Sequence, residues 1–127
     1  MLSQETGRLG FTMDGYGEIQ IEVCGRFGAK PFPTPIALKV GIASNVRAGV
    51  QPLNGLRCQP VGDTSGWYFW AGEDWSDDPE FFAPLHIRHL DEWCPAVIPY
   101  LLLPPGWRFL IAPGHEDVWF DEQLLGR

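Results

Sequence analysis

Six consecutive residues, Gly66-Trp67-Tyr68-Phe69-Trp70-Ala71, restrict how this chain can fold more than any other stretch. Aromatic side chains favour a pleated, partly buried surface, and successive side chains of a strand project to opposite faces. Residues 66–71 are therefore expected to form a strand with Trp67 and Phe69 on one face and Tyr68 and Trp70 on the other. With aromatic mass on both sides, one face needs a helix against it and the other a loop or a partner. The character then changes abruptly: Gly72-Glu73-Asp74-Trp75-Ser76-Asp77-Asp78 places four carboxylates around one tryptophan. An apolar strand that runs into an acidic, aromatic loop is a layout used for recognition surfaces carried on rigid scaffolds.

The rest of the chain supplies neighbours for that strand. A short strand is expected over residues 9–13 of the glycine-rich start. Residues 18–23 (EIQIEV) alternate strictly, Ile19, Ile21 and Val23 against Glu18, Gln20 and Glu22, the pattern of a half-buried strand. Residues 25–35 hold Gly25, Gly28, Pro31, Pro33 and Pro35 and read as a loop anchored by Phe27 and Phe32, because proline cannot donate to a ladder. Residues 36–43 form another strand, in which Gly41 marks a bulge or a close backbone approach. Asn54-Gly55 reads as a hairpin turn, and residues 56–61 and 66–71 as antiparallel arms around the turn formers 62–65.

Further on, residues 81–87 suit an edge strand, since Pro84 is poorly tolerated in a central one. Pro95 fits the first turn of a helix that follows Asp91 or Cys94, carries Val97, Ile98, Leu101 and Leu102 at helical spacing, and stops at Pro104-Pro105-Gly106. Residues 107–112 and 118–121 make a second hairpin joined by the turn 113–117. Together these elements predict a single α+β domain over residues 1–127: one antiparallel β-sheet with hairpins and one or two short helices on one face.

Sixteen acidic against nine basic residues give a formal net charge of -7. That balance opposes nucleic-acid binding, which needs clustered lysine and arginine, and suits a basic protein partner. Cys24, Cys58 and Cys94 are odd in number and widely spaced, with no Cys-x-x-Cys pair and no preceding signal peptide, so a reduced, cytoplasmic chain is expected. The apolar runs of residues 67–71 and 100–103 end at Gly72 and Pro104, far short of the roughly 20 residues of a membrane span.

Catalytic chemistry is sparse. His86 and His89, three apart, with Asp91, Glu92 and His115-Glu116-Asp117, could ligate zinc in principle, but that spacing aligns the imidazoles only on a helix, and the segment reads as a strand. Cys58 or Cys94 with a histidine could form a nucleophile pair, although a lone thiol in such a chain is more often a small buried hydrophobe. The carboxylates of the acidic loop could do acid–base work, yet such runs are usually solvated. The glycines of residues 7–17 and 25–28 match no phosphate-binding loop. No catalytic residue, metal or cofactor is therefore expected.

Tryptophan usage points elsewhere. Of six tryptophans, Trp67, Trp93 and Trp107 read as core. Trp75, flanked by Asp74 and Ser76, reads as exposed, and aromatic anchors ringed by polar groups dominate protein interfaces. Glu73, Asp74, Trp75, Asp77 and Asp78 are thus the candidate binding surface, with Glu116, Asp117 and Trp119 as a second patch.

Residues 66–121 also carry an ordered set of motifs: Gly66-Trp67 followed by aromatics, Gly72-Glu73, Asp77-Asp78-Pro79, Cys94-Pro95 opening a helix, and Pro104-Pro105-Gly106 leading into the last hairpin. In this the chain resembles the immunity protein 33 domain family, also known as domain of unknown function 2185. The resemblance implies an α+β protein of bacterial polymorphic-toxin systems that neutralises a neighbouring toxin by binding it, with no catalytic residues. The resemblance carries over only the motif positions Gly66, Trp67, Gly72 and Glu73, of which Gly66 and Trp67 are read here as structural and Glu73 as an interface carboxylate or a loop cap. Two other classes stand beside this one: a small hydrolase using His86, His89 or Cys94, and a self-associating domain whose exposed aromatics build a homodimer.

Overall fold

The computed structural model describes residues 15–73, 76, 78 and 80–126. Six strands, β1 (Lys39–Ala43), β2 (Leu53–Arg57), β3 (Thr64–Ala71), β4 (Phe82–His86), β5 (Trp107–Ala112) and β6 (His115–Phe120), form one sheet in the order β4-β1-β3-β2-β5-β6. The expectation of a wholly antiparallel sheet is corrected: β1 and β3 run parallel, and the other neighbouring pairs are antiparallel. The cause is the path of the chain. It goes up along β1, down β2 and up β3, and β3 slots between the two earlier strands, so it meets β2 antiparallel and β1 parallel.

The aromatic strand has the two faces expected of it. On one face Trp67 and Phe69, stacked with centroids 5.3 Å apart, join Phe109 of β5 in the main core. These three rings are at most 1% exposed. At about 25 cal/mol per Å² each contributes roughly 2–3 kcal/mol by leaving water. They are covered by α1 (Gly17–Phe27), α2 (Leu90–Trp93) and the 3-10 turn Pro95–Tyr100, through Val23, Cys24, Leu90, Val97 and Ile98. On the other face Trp70 packs with Ala43, Leu56 and Leu124, the last brought in by the 3-10 turn Glu122–Gly126. Trp93 and Trp107 are half-buried at the margin of the main core.

Residues 18–23, expected to form a strand, lie inside α1. The six-residue alternation misleads because the polar Gln20 points inward, where its side-chain amide nitrogen Nε2 donates to the Ile98 carbonyl at 2.9 Å. Buried Gln20, Val23 and Cys24 recur at helical spacing, while Ile19 and Ile21 are 42% and 52% exposed. Among the described residues the α-helices are two, α1 and the one-turn α2, with short 3-10 turns beside them. Asn54-Gly55 is likewise not a turn but the middle of β2. Gly55 is required there because a Cβ would run into the rings of Phe109 and Phe69, which cross over it. The Gly41 reading holds, with a register shift beside it in β1. Edge strand β4 and the β5–β6 hairpin also stand as read, although β6 starts earlier, at His115, after the two-residue turn Pro113-Gly114. The strand expected over residues 9–13 lies outside the described residues.

Arg57, at the end of β2, is fully buried in the main core. Its Nε donates to Ser65 O at 2.9 Å, Nη2 to Pro33 O at 2.9 Å, and Nη1 to Leu103 O at 2.9 Å, Leu101 O at 3.3 Å and Phe32 O at 3.4 Å. The guanidinium also sits over Phe32 and Trp67, 4.9 and 5.7 Å from the ring centroids. Burial pushes it down to about 9, so it keeps its charge at neutral pH, held by carbonyl dipoles.

Candidate binding surface

Strand register aligns two rows of side chains across the face opposite the helices. Trp70, Asn54, Leu110 and Asp117 form one row from β3 to β6, and Tyr68, Leu56, Arg108 and Trp119 the next. Cover is complete near β3, where Trp70 and Leu56 are 4% and 3% exposed. It thins toward β6, where Trp119 is 39% exposed. The Arg108 guanidinium lies 5.2 Å from the Trp119 ring centroid and its Nη1 is 3.1 Å from Asp121 Oδ2. A cation placed on the ring and tied to a carboxylate holds the indole in one orientation while leaving an edge open to solvent.

The acidic loop leaves β3 at the same end of the sheet. Its departure is fixed by two asparagines: Asn45 brackets Ala71, donating to its carbonyl at 2.8 Å and accepting from its amide at 3.0 Å, and Asn54 Nδ2 donates to Gly72 O at 2.7 Å. Ala71, Leu53, Ile111 and Glu116 stand in register across β3, β2, β5 and β6, so the loop starts three strand spacings, about 14 Å, from the start of β6. Glu73 and Asp78 are exposed. Asp78 Oδ1 accepts the Glu80 amide at 2.9 Å and Ser76 Oγ the Asp78 amide at 3.1 Å, which shapes a turn. Asp74, Trp75 and Asp77 lie outside the described residues.

The second patch read from the sequence is divided by the pleat. Asp117 and Trp119 share the open face, whereas Glu116 points to the helical side. There Arg26 Nη1 and Nη2 donate to Glu116 at 2.8 and 3.1 Å, and the Tyr100 hydroxyl donates to it as well. Those donors, Arg26 first, hold the Glu116 carboxyl below the usual carboxylate range. Burial and the adjacent carboxylate push the Tyr100 phenol up. Glu116 thus ties β6 to α1 and to the 3-10 turn. Asp117 instead pairs on the surface with His115 at 2.9 Å.

The groups considered for catalysis are scattered. His86 on β4 has His89 as its neighbour, ring centroids 6.4 Å apart, while His115 is on the opposite edge strand. Cys94 is buried, and burial raises its thiol; Cys24 is pushed up to about 11 for the same reason. Both therefore stay protonated and poorly nucleophilic. None of the three cysteines is in a disulfide. Among the described residues no group of three or more histidine, cysteine or acidic side chains could hold a metal ion, and no helix is long and apolar enough to cross a membrane.

Residues 19–121 match the family model of the Imm33-like domain. The chain belongs to the Imm33-like domain family. The match begins in α1 and ends just after β6, so the Imm33-like domain contains all six strands and reaches well before residue 66, where the sequence resemblance started. No curated protein and no solved structure matches the chain. Within this Imm33-like domain, Gly66 has φ 92 and lies against the Cys58 carbonyl, and Trp67 is core. Cys94 caps the turn that Pro95 opens, and Gly106, with φ 97, leads into β5. Gly66, Trp67, Cys94 and Gly106 build the fold, whereas Glu73, Asp78 and Pro95 face solvent.

Arg108 and Asp121, which orient Trp119, have no individual signal in the sequence. Turn length carries the missing information. A two-residue Pro113-Gly114 turn puts Ala112 opposite His115 and therefore Arg108 opposite Trp119.

Proposed function

We propose that this Imm33-like domain is a non-catalytic immunity-type protein that neutralises a bacterial toxin domain by binding it directly. The docking surface is the open end of the sheet, with Asp117 and Trp119 on one side and the acidic loop, Glu73, Asp74, Trp75, Asp77 and Asp78, on the other. What supports this reading is the exposure of Glu73 and Asp78 in the loop and of Asp117 and Trp119 on β6, with the loop leaving β3 at the strand end where β6 begins, in a chain of formal charge -7. Such a surface suits a basic partner, with the carboxylates speeding encounter and the indoles supplying contact area. Glu116 supports this surface from behind through Arg26 and Tyr100.

Growth rescue tests the proposal. The toxin domain encoded beside this chain is expressed alone and together with it; co-expression should restore growth. Asp117→Arg combined with Trp119→Ala should lose rescue and toxin capture while keeping the circular dichroism of the parent. Full rescue by that double variant removes β6 from the docking surface, and failure of the parent to rescue removes the proposed function.

A further inference from the structure

The two edges of the sheet differ in how they are guarded. On β4, Ile87 donates its amide to Leu38 O, so by antiparallel alternation Phe82, Pro84 and His86 present their backbone outward. The central outward donor is missing there because residue 84 is proline, a common device against edge-to-edge pairing. On β6, Asp121 donates its amide to Gly106 O, so Asp117 and Trp119 face β5 and Glu116, Val118 and Phe120 present amides and carbonyls outward. β6 contains no proline, lysine or glycine, its register with β5 is regular, and among the described residues it pairs only with β5. Trp119 and Phe120, 39% and 49% exposed, flank this edge on opposite faces.

We propose that β6 pairs edge to edge, antiparallel, with β6 of a second copy of this chain, on a two-fold axis through Val118. Outward-facing residues must meet outward-facing residues, which leaves few registers, and charge chooses among them. With the axis at Val118, Glu116 lies opposite Phe120 of the second copy, Asp117 opposite Trp119, and His115 opposite Asp121. With the axis at Glu116 or Asp117, that carboxylate meets its own copy; at Trp119, Asp117 meets Asp121. Like charges directly opposed destabilise a strand pair, and the Val118 register alone among these four avoids them. It also sets an exposed ring of each copy over both faces of the junction. The pairing draws on Asp117 and Trp119, which the proposed docking surface also uses, but the two are tested apart, since a chain that stays monomeric can still neutralise a partner.

Sedimentation velocity over a series from micromolar to sub-millimolar protein tests this. The mass should move from monomer toward dimer. Val118→Pro removes an outward amide and no bond to β5, so it should stay monomeric over the same range with unchanged circular dichroism. A parent that remains monomeric throughout, or a folded V118P that still dimerises, overturns the proposal. Should V118P fail to fold, amide exchange of the parent decides: protection at Glu116, Val118 and Phe120 must rise with concentration, and protection that does not change overturns it.

Discussion

Replacing Arg57 with methionine keeps most of the side-chain volume and removes the donors that hold five carbonyls. Three of its bonds, to Ser65, Pro33 and Leu103, are 2.9 Å long. The Leu101 carbonyl is less affected, because Thr34 Oγ1 and Trp67 Nε1 also donate to it. At about 1.5–3 kcal/mol for each hydrogen bond to a charged group, the three short bonds sum to roughly 5–9 kcal/mol. Against this, the substitution relieves the cost of keeping a guanidinium out of water, which is several kcal/mol. The net loss should be about 3–5 kcal/mol, because the carbonyls left buried without a donor each cost roughly 1–3 kcal/mol. For a chain of this length that lowers Tm by roughly 10–20 °C. Urea and thermal unfolding followed by tryptophan fluorescence measure it directly. Arg57→Lys should lie between the two, since an ammonium keeps the charge but cannot match a planar fork of donors. A methionine variant within about 1 kcal/mol of the parent would refute the argument, because the carbonyls would then be satisfied without the guanidinium.

Gly66→Ala should destabilise the fold by at least about 2 kcal/mol, measured by the same urea unfolding, because φ is 92 and the new methyl would overlap the Cys58 carbonyl. Glu116→Gln should flatten the acid limb of the stability curve. The Glu116 pKa is lowered in the folded chain, so its contribution is full above the unfolded carboxylate value and is lost as pH falls through the folded one. With side chains 45% and 30% exposed, the Arg26–Glu116 pair is screened, and the difference between parent and variant at neutral pH should stay under about 1 kcal/mol. Unfolding midpoints of both proteins between neutral and acidic pH should converge on acidification; parallel curves would count against the pairing.

What could be read from the sequence was whatever local patterning decides. The two faces of β3, the edge placement of β4 by Pro84 and the β5–β6 hairpin follow from alternation, proline and turn residues. What escaped depended on contacts distant in sequence. Gln20 looks like a surface residue until Ile98 is there to accept its amide, and so α1 has the local pattern of a strand. Asn54-Gly55 looks like a turn until the Phe109 ring lies over it. The parallel pair arises from the insertion of β3 between two earlier strands, which no local window records. In the proposed binding surface, the opposite orientations of Glu116 and Asp117 follow from the pleat once β6 is started at His115, whereas the Arg108–Asp121 support of Trp119 requires the register.

The order of strands in the sheet bears on where this protein can tolerate change. The first half of the chain builds the middle of the sheet, β1, β3 and β2, and the second half supplies both flanks, β4 on one side and β5 with β6 on the other. The later half therefore grips the earlier one like a clasp. Neither half can be exchanged for a foreign one without rewriting two seams at once. Substitutions on the outer rim of β6 disturb neither seam, so the surface there can vary on an unaltered frame.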